Sequence, residues 1–149
     1  MLEEMIGRKS VKVKNIVERG AVKKFVEALG DSSPLFTDEK AGKKSIYGRN
    51  IAPPTFPATF DGGPIPGLNL PSKGLIHGEQ NYRYNRPLFV GEEVCCWKEV
   101  KDYYEKTGNF GRMGFLLVTL YGEDTSQRLL FSEERIVIIN DVARKEMEG

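Results

Sequence analysis

Histidine is almost missing from this chain: His77 stands alone among 149 residues. One imidazole and two adjacent cysteines, Cys95 and Cys96, cannot supply the spaced ligands of a tetrahedral metal centre, so neither a metal nor a cofactor is expected. An excess of one charge is missing too. Lys and Arg number 22 against 21 acidic residues, and a net charge of +1 gives no field to attract nucleic acid or an anionic membrane. No apolar run approaches the roughly 20 residues of a membrane helix. Residues 1–9 carry acidic side chains without the apolar stretch of a signal peptide. Neighbouring cysteines on a strand point to opposite faces, which fits reduced thiols better than a bridge. The expectation is a soluble, cytoplasmic protein with residues 1–149 forming one domain around one core.

What the chain does have is a change of period along its length. Ser10 to Lys14 alternates around Val11 and Val13, as a short edge strand would. From Ile16 to Leu29, the residues Val22, Phe25, Val26 and Leu29 recur at helical spacing, and Gly30 supplies a stop. Thr37 ahead of Asp38 and Glu39, with Lys40, Lys43 and Lys44 behind, has the cap and charge order of a second helix ending near Gly48. Pro53 to Phe60 suits a short buried helix, and the Gly- and Pro-rich stretch from Asp61 to Gly74 a long loop. After Gly74 the period becomes two. Leu75 to Tyr84, Glu93 to Thr107, Arg112 to Tyr121 and Leu129 to Ile139 read as strands separated by turn residues. Helices first and an antiparallel meander after make an α+β domain.

Three segments carry a family likeness. They are Gly30-Asp31-Ser32-Ser33-Pro34-Leu35-Phe36-Thr37-Asp38-Glu39-Lys40-Ala41, Ile51-Ala52-Pro53-Pro54-Thr55-Phe56, and His77 to Leu88 followed by Gly91-Glu92. Together they resemble the MaoC-like dehydratase, or (R)-specific enoyl hydratase, family and more closely its N-terminal-domain, FAS1-like dehydratase branch. The resemblance spans nearly the whole chain and implies the hotdog fold, a curved antiparallel sheet wrapped around a central helix. It also implies action on 3-hydroxyacyl or enoyl thioesters of coenzyme A or acyl carrier protein, in a homodimer or with a second hotdog subunit.

The chain departs from that family where its chemistry resides. A catalytic imidazole follows the Pro-Leu of the family motif, and here the position is Phe36, whose ring can neither accept nor release a proton. Pro54 falls where catalytic members have a Gly whose N–H faces the thioester oxygen, leaving the N–H groups of Thr55 and Phe56 as candidate donors. Asp31 stands at the family's acid position, in a vestigial or a catalytic role, and equally suits a turn former. His77 is a second catalytic candidate or a sheet histidine. Phe36, Phe56, Phe60, Tyr82 and Tyr84 could line an acyl pocket or fill a core. Arg86, with Lys73 and Arg83, could meet phosphates or be ordinary surface charge.

The reading that combines these points is a non-catalytic, acyl-binding hotdog half of a (3R)-hydroxyacyl-CoA or -ACP dehydratase. The alternatives are a self-sufficient homodimeric hydratase or thioesterase using Asp31 and His77, and a non-enzymatic acyl-thioester binding protein.

Overall fold

A computed structural model describes residues 2–148. Five antiparallel strands form one sheet: β1 (Val13–Ile16), β2 (Leu75–Tyr84), β3 (Glu93–Gly108), β4 (Gly111–Glu123) and β5 (Leu129–Ile139), in the order β1-β3-β4-β5-β2. Tight turns join β3 to β4 and β4 to β5, and β2 returns to the far edge beside β5. Bulges interrupt the ladders between Val100 and Asp102 and between His77 and Glu79, and such bulges increase local bend and twist. The sheet is curved and the chain has the hotdog fold.

The inner face of the sheet is covered by helix α1 (Arg19–Leu29) and by a single 3-10 turn over Phe56–Thr59. Val22 and Val26 of α1 join Phe56, Leu88, Cys96, Leu120 and Phe131 in the main core. The rings of Phe25 and Phe56 meet edge to face at 5.4 Å, tying helix to turn. A second cluster, with Leu2, Met5, Ile65, Val100, Leu116, Ile139 and Ala143, fills the other end of the sheet. The strand run from Leu75 to Ile139 and the loop from Asp61 to Gly74 follow the sequence pattern closely. Cys95 and Cys96 are free, half-buried and buried respectively, on opposite faces.

The element ends differ from expectation in several places. The first strand is Val13–Ile16 rather than Ser10 to Lys14, because pairing with Glu93–Cys96 sets it, not local alternation. That pairing takes Ile16 into the strand, so α1 starts at Arg19 after Glu18. Gly30 caps α1 at φ 71°, the left-handed conformation that favours glycine. Helix α2 (Glu39–Lys44) is capped by Asp38, not Thr37, since the Asp38 carboxylate accepts the Lys40 N–H at 3.1 Å; it ends at Ser45. Pro53, Pro54 and Pro57 lack amide protons, and Pro53–Phe60 therefore contracts to the one 3-10 turn. A C-terminal helix α3 (Asp141–Glu148), not foreseen, packs Ala143 into the second core cluster. No described helix is long and apolar enough to cross a membrane.

Candidate functional site

Asp31 lies in the turn that follows α1 and is exposed. Its N–H donates to the Val26 carbonyl at 3.0 Å, and its Oδ1 accepts the Ser33 N–H at 2.8 Å. That is an Asx turn closing the helix end. Five residues on, Phe36 is half-buried and packs against the main core. The stretch between them is held from beneath by Asn50, which no pattern in the sequence singles out. Its side chain is buried, and Nδ2 donates to the carbonyls of Leu35 at 2.7 Å and Asp38 at 2.9 Å. Its Oδ1 accepts from Arg19 at 3.0 Å, so one amide locks the motif to α1. Gly42 of α2 passes so close that a Cβ there would lie 2.6 Å from the Asn50 nitrogen atoms.

His77 is elsewhere. It is exposed on the outer strand β2, opposite Val137 and beside the bulge. Seven residues separate it from Tyr84, about 23 Å along a strand. Tyr84 and Tyr82, at the other end of β2, reach the Pro54 segment, the Tyr84 hydroxyl donating to the Pro54 carbonyl at 2.5 Å and the Tyr82 hydroxyl lying 3.5 Å from the Thr55 carbonyl. Among the described residues, His77 lies opposite Val137 while Asp31 bonds Ser33, and the two side chains share no hydrogen bond.

The Pro53–Phe60 segment has few free donors. Pro54 has no N–H, and the Phe56 N–H donates to the Pro53 carbonyl at 2.9 Å, so the expected pair of donors at Thr55 and Phe56 loses Phe56. The reason is the 3-10 turn itself, which consumes that amide. Thr55 is exposed, whereas Phe56 is fully buried in the core rather than facing open space. Pro54, Tyr84 and Arg86 line one cavity of about 390 Å³ together with Tyr47, Ile51 and Pro87. Arg86 is already engaged: its guanidinium makes a paired contact with Glu92 at 2.8 and 3.1 Å and stacks 4.5 Å from the Phe89 ring. Arg49 approaches the same ring, also at 4.5 Å.

A second cavity, of about 450 Å³, opens between the sheet and the 58–70 segment. Phe60, Ile65, Leu68 and Leu70 form its roof; Val118, Leu120 and Val137 give an apolar floor. Polar residues interrupt that floor. Lys98, Glu133 and Arg135 also line it. Glu133 pairs across the ladders with Leu120 and Tyr82, and Arg135 with Val118 and Gln80. The Tyr82 hydroxyl accepts from Gln80 Nε2 at 2.7 Å. Tyr82 stacks on Tyr84 with ring centres 6.4 Å apart. Burial first, and then the negative charge of Glu133, push the Tyr82 phenol up to about 12. Glu133 was legible as an oddity: period two in Leu129–Ile139 puts it on the same face as buried Phe131 and Ile139. Among the described residues no group of three or more His, Cys, Asp or Glu side chains is arranged to hold a metal ion.

The architecture is shared with solved structures of known chemistry. An (R)-hydratase from A. caviae superposes with a TM-score of 0.69 at 24% identity, covering 90% of this chain and 96% of that one. The HadBC (3R-hydroxyacyl-ACP dehydratase) complex from Mycobacterium tuberculosis gives 0.71 at 16% identity over 90% of this chain and 96% of that chain. The ChsH1-ChsH2 complex of the same organism gives 0.72 at 19% identity over 87% and 83%. At these identities the likeness establishes the fold. By sequence the chain is similar to a UPF0336 protein of Thermobifida fusca, 36% identical over 99 residues, 62% of this chain. It spans just under two thirds, 65%, of the length of that relative. A UPF0336 protein of Parafrankia sp. is 32% identical over 123 residues, 78% of each chain. The family description "FAS1-like, dehydratase domain region" matches residues 4–132, and the chain therefore belongs to the FAS1-like dehydratase family.

Proposed function

We propose that this chain is the non-catalytic, acyl-binding half of a (3R)-hydroxyacyl-thioester dehydratase, acting on coenzyme A or acyl carrier protein thioesters with a second hotdog subunit that supplies the acid and base. The observation that carries this reading is the motif turn. Where hydration needs an imidazole beside a carboxylate, a phenyl ring packs into the core, and Asp31 is tied to the Ser33 amide. Loss of the Phe56 N–H to the Pro53 carbonyl, together with Pro54, removes two backbone donors for a developing oxyanion. What the chain retains is space. The 450 Å³ cavity under Phe60, Ile65, Leu68 and Leu70 suits a hydrocarbon chain.

A partner follows from the sheet. β2 pairs with β5 on one side only, and ten residues of unpaired edge are a natural place for a second chain to add. The HadBC and ChsH1-ChsH2 neighbours are complexes, which supports the same arrangement here. Residues 1–149 act as one hotdog domain in the cytoplasm, where two unbridged thiols persist. The test is mutation within the assembled enzyme. Asp31→Ala in this chain should leave enoyl-CoA hydration within about twofold, whereas removing the partner's base should cost about 100-fold or more. A loss of that larger size from Asp31→Ala would refute the assignment.

A further inference from the structure

Charge is balanced over the whole chain but not over the segment that follows the motif turn. Between Lys40 and Arg49 stand four cations, Lys40, Lys43, Lys44 and Arg49, and no acid. The acids just before them are engaged: Asp38 caps α2, and Glu39 pairs with Arg19 at 3.6 Å. Lys40, Lys43 and Lys44 fall at i, i+3 and i+4, so they share one face of α2, and all are exposed. Lysines in the last turn also suit the helix dipole, but that accounts for neither Lys40 nor Arg49. Arg49 is exposed as well, its guanidinium set over the Phe89 ring. Within this basic stretch Ile46 is 93% exposed. The turn that presents it is hydrogen-bonded: Ser45 Oγ donates to the Gly42 carbonyl at 2.6 Å and accepts the Tyr47 N–H at 3.3 Å, and Gly48 follows at φ 70°. Tyr47, next in the chain, lines the cavity of about 390 Å³ with Pro54, Tyr84 and Arg86. An apolar centre inside a charged rim is the anatomy of a protein interface.

We propose that this surface docks an acidic carrier protein, with Lys40, Lys43, Lys44 and Arg49 meeting its carboxylates and Ile46 its apolar side chains, and that the carrier's thioester arm enters beside Tyr47. The inference rests on the thioester reading above and chooses the protein-borne thioester over the free coenzyme. The two share the acyl group and the pantetheine arm, so they differ in what lies outside the cavity. Phosphates of the free coenzyme can pair with some of the cations but leave Ile46 in water, whereas an opposing protein surface covers it. Several cations facing several carboxylates also steer the encounter, and the docking weakens with salt.

The experiment is calorimetric titration of the full chain, alone and with the hotdog protein that co-purifies with it. The titrants are decanoyl-CoA and an acidic bacterial acyl carrier protein carrying the same decanoyl thioester. The titrations are repeated on the double variant Lys43→Glu/Lys44→Glu and on Ile46→Ser, all exposed positions, with circular dichroism as the check on folding. At low salt the wild type should bind the carrier-borne thioester about 10-fold more tightly than decanoyl-CoA. The double variant should lower carrier affinity about 10-fold and Ile46→Ser about threefold, and both should leave decanoyl-CoA within about twofold. Equal losses for the two thioesters in the double variant would mean that the lysines meet coenzyme phosphates; the docking surface is then overturned while the thioester reading stands. A wild type with no preference for the carrier, or a carrier affinity unchanged in either variant, also overturns it. If neither thioester binds the wild type, the thioester reading fails and the inference fails with it.

Discussion

Phe36 and Asp31 sit five residues apart in one turn and do different jobs. The Asp31 carboxylate organises the exit from α1, and the Phe36 ring adds apolar area to the main core. Truncation of a half-buried ring removes both transfer free energy and packing. Phe36→Ala should therefore destabilise the fold by about 2 kcal/mol in urea denaturation, roughly half the loss for a fully buried Phe. An unchanged midpoint would mean that the ring is not a core residue. That a phenyl ring follows Pro34-Leu35 was legible directly, since it needs only the register of the sequence. The core it packs against was not, because that cluster is assembled from residues distant in sequence, among them Val22, Phe56, Leu88 and Phe131. Glu133 was missed for a related reason. Its inward position follows from period two, but its burial depends on β2 and β4 closing over both sides.

Among the elements, the strands were the most readable part, because alternation and β-branched or aromatic content both mark them. Their ends were set by partners: the pairing of Val13–Ile16 with Glu93–Cys96 moved the first strand and delayed α1. Proline explains the remaining contraction at Phe56–Thr59. Asn50 is the clearest case of a residue invisible in the sequence, since one side chain joins α1, the motif turn and α2 only after folding. Asn50→Ala removes the side-chain donor of the Leu35 carbonyl, leaves the Asp38 carbonyl with the Gly42 N–H alone, and leaves the Arg19 guanidinium with only the exposed Glu39 carboxylate. A cost of about 2–3 kcal/mol is expected from thermal or urea unfolding. A loss under about 0.5 kcal/mol would show that water replaces the clamp.

At the scale of the whole molecule, three phenols make the fold sensitive to alkali. Burial raises the Tyr82, Tyr84 and Tyr103 hydroxyls above the ordinary tyrosine value of 10, Tyr82 and Tyr103 to about 12 and Tyr84 further. The unfolded chain then loses its phenolic protons at lower pH than the folded one. Their contribution to stability is thus constant below about pH 10 and is lost as pH rises towards 12. Urea midpoints measured between pH 9 and 11.5 should decline more steeply for the wild type than for Tyr82→Phe; equal slopes would remove Tyr82 from this account.

The proposed function turns on a second subunit, for which the open edge of β2 offers a place and which would supply the imidazole that the motif turn lacks at Phe36. The most direct test is the rate of crotonyl-CoA hydration by the purified chain alone, set against the same chain assembled with the hotdog protein that co-purifies with it. The account predicts no turnover above background for the chain alone and robust turnover for the pair. Comparable rates in the two preparations would contradict it.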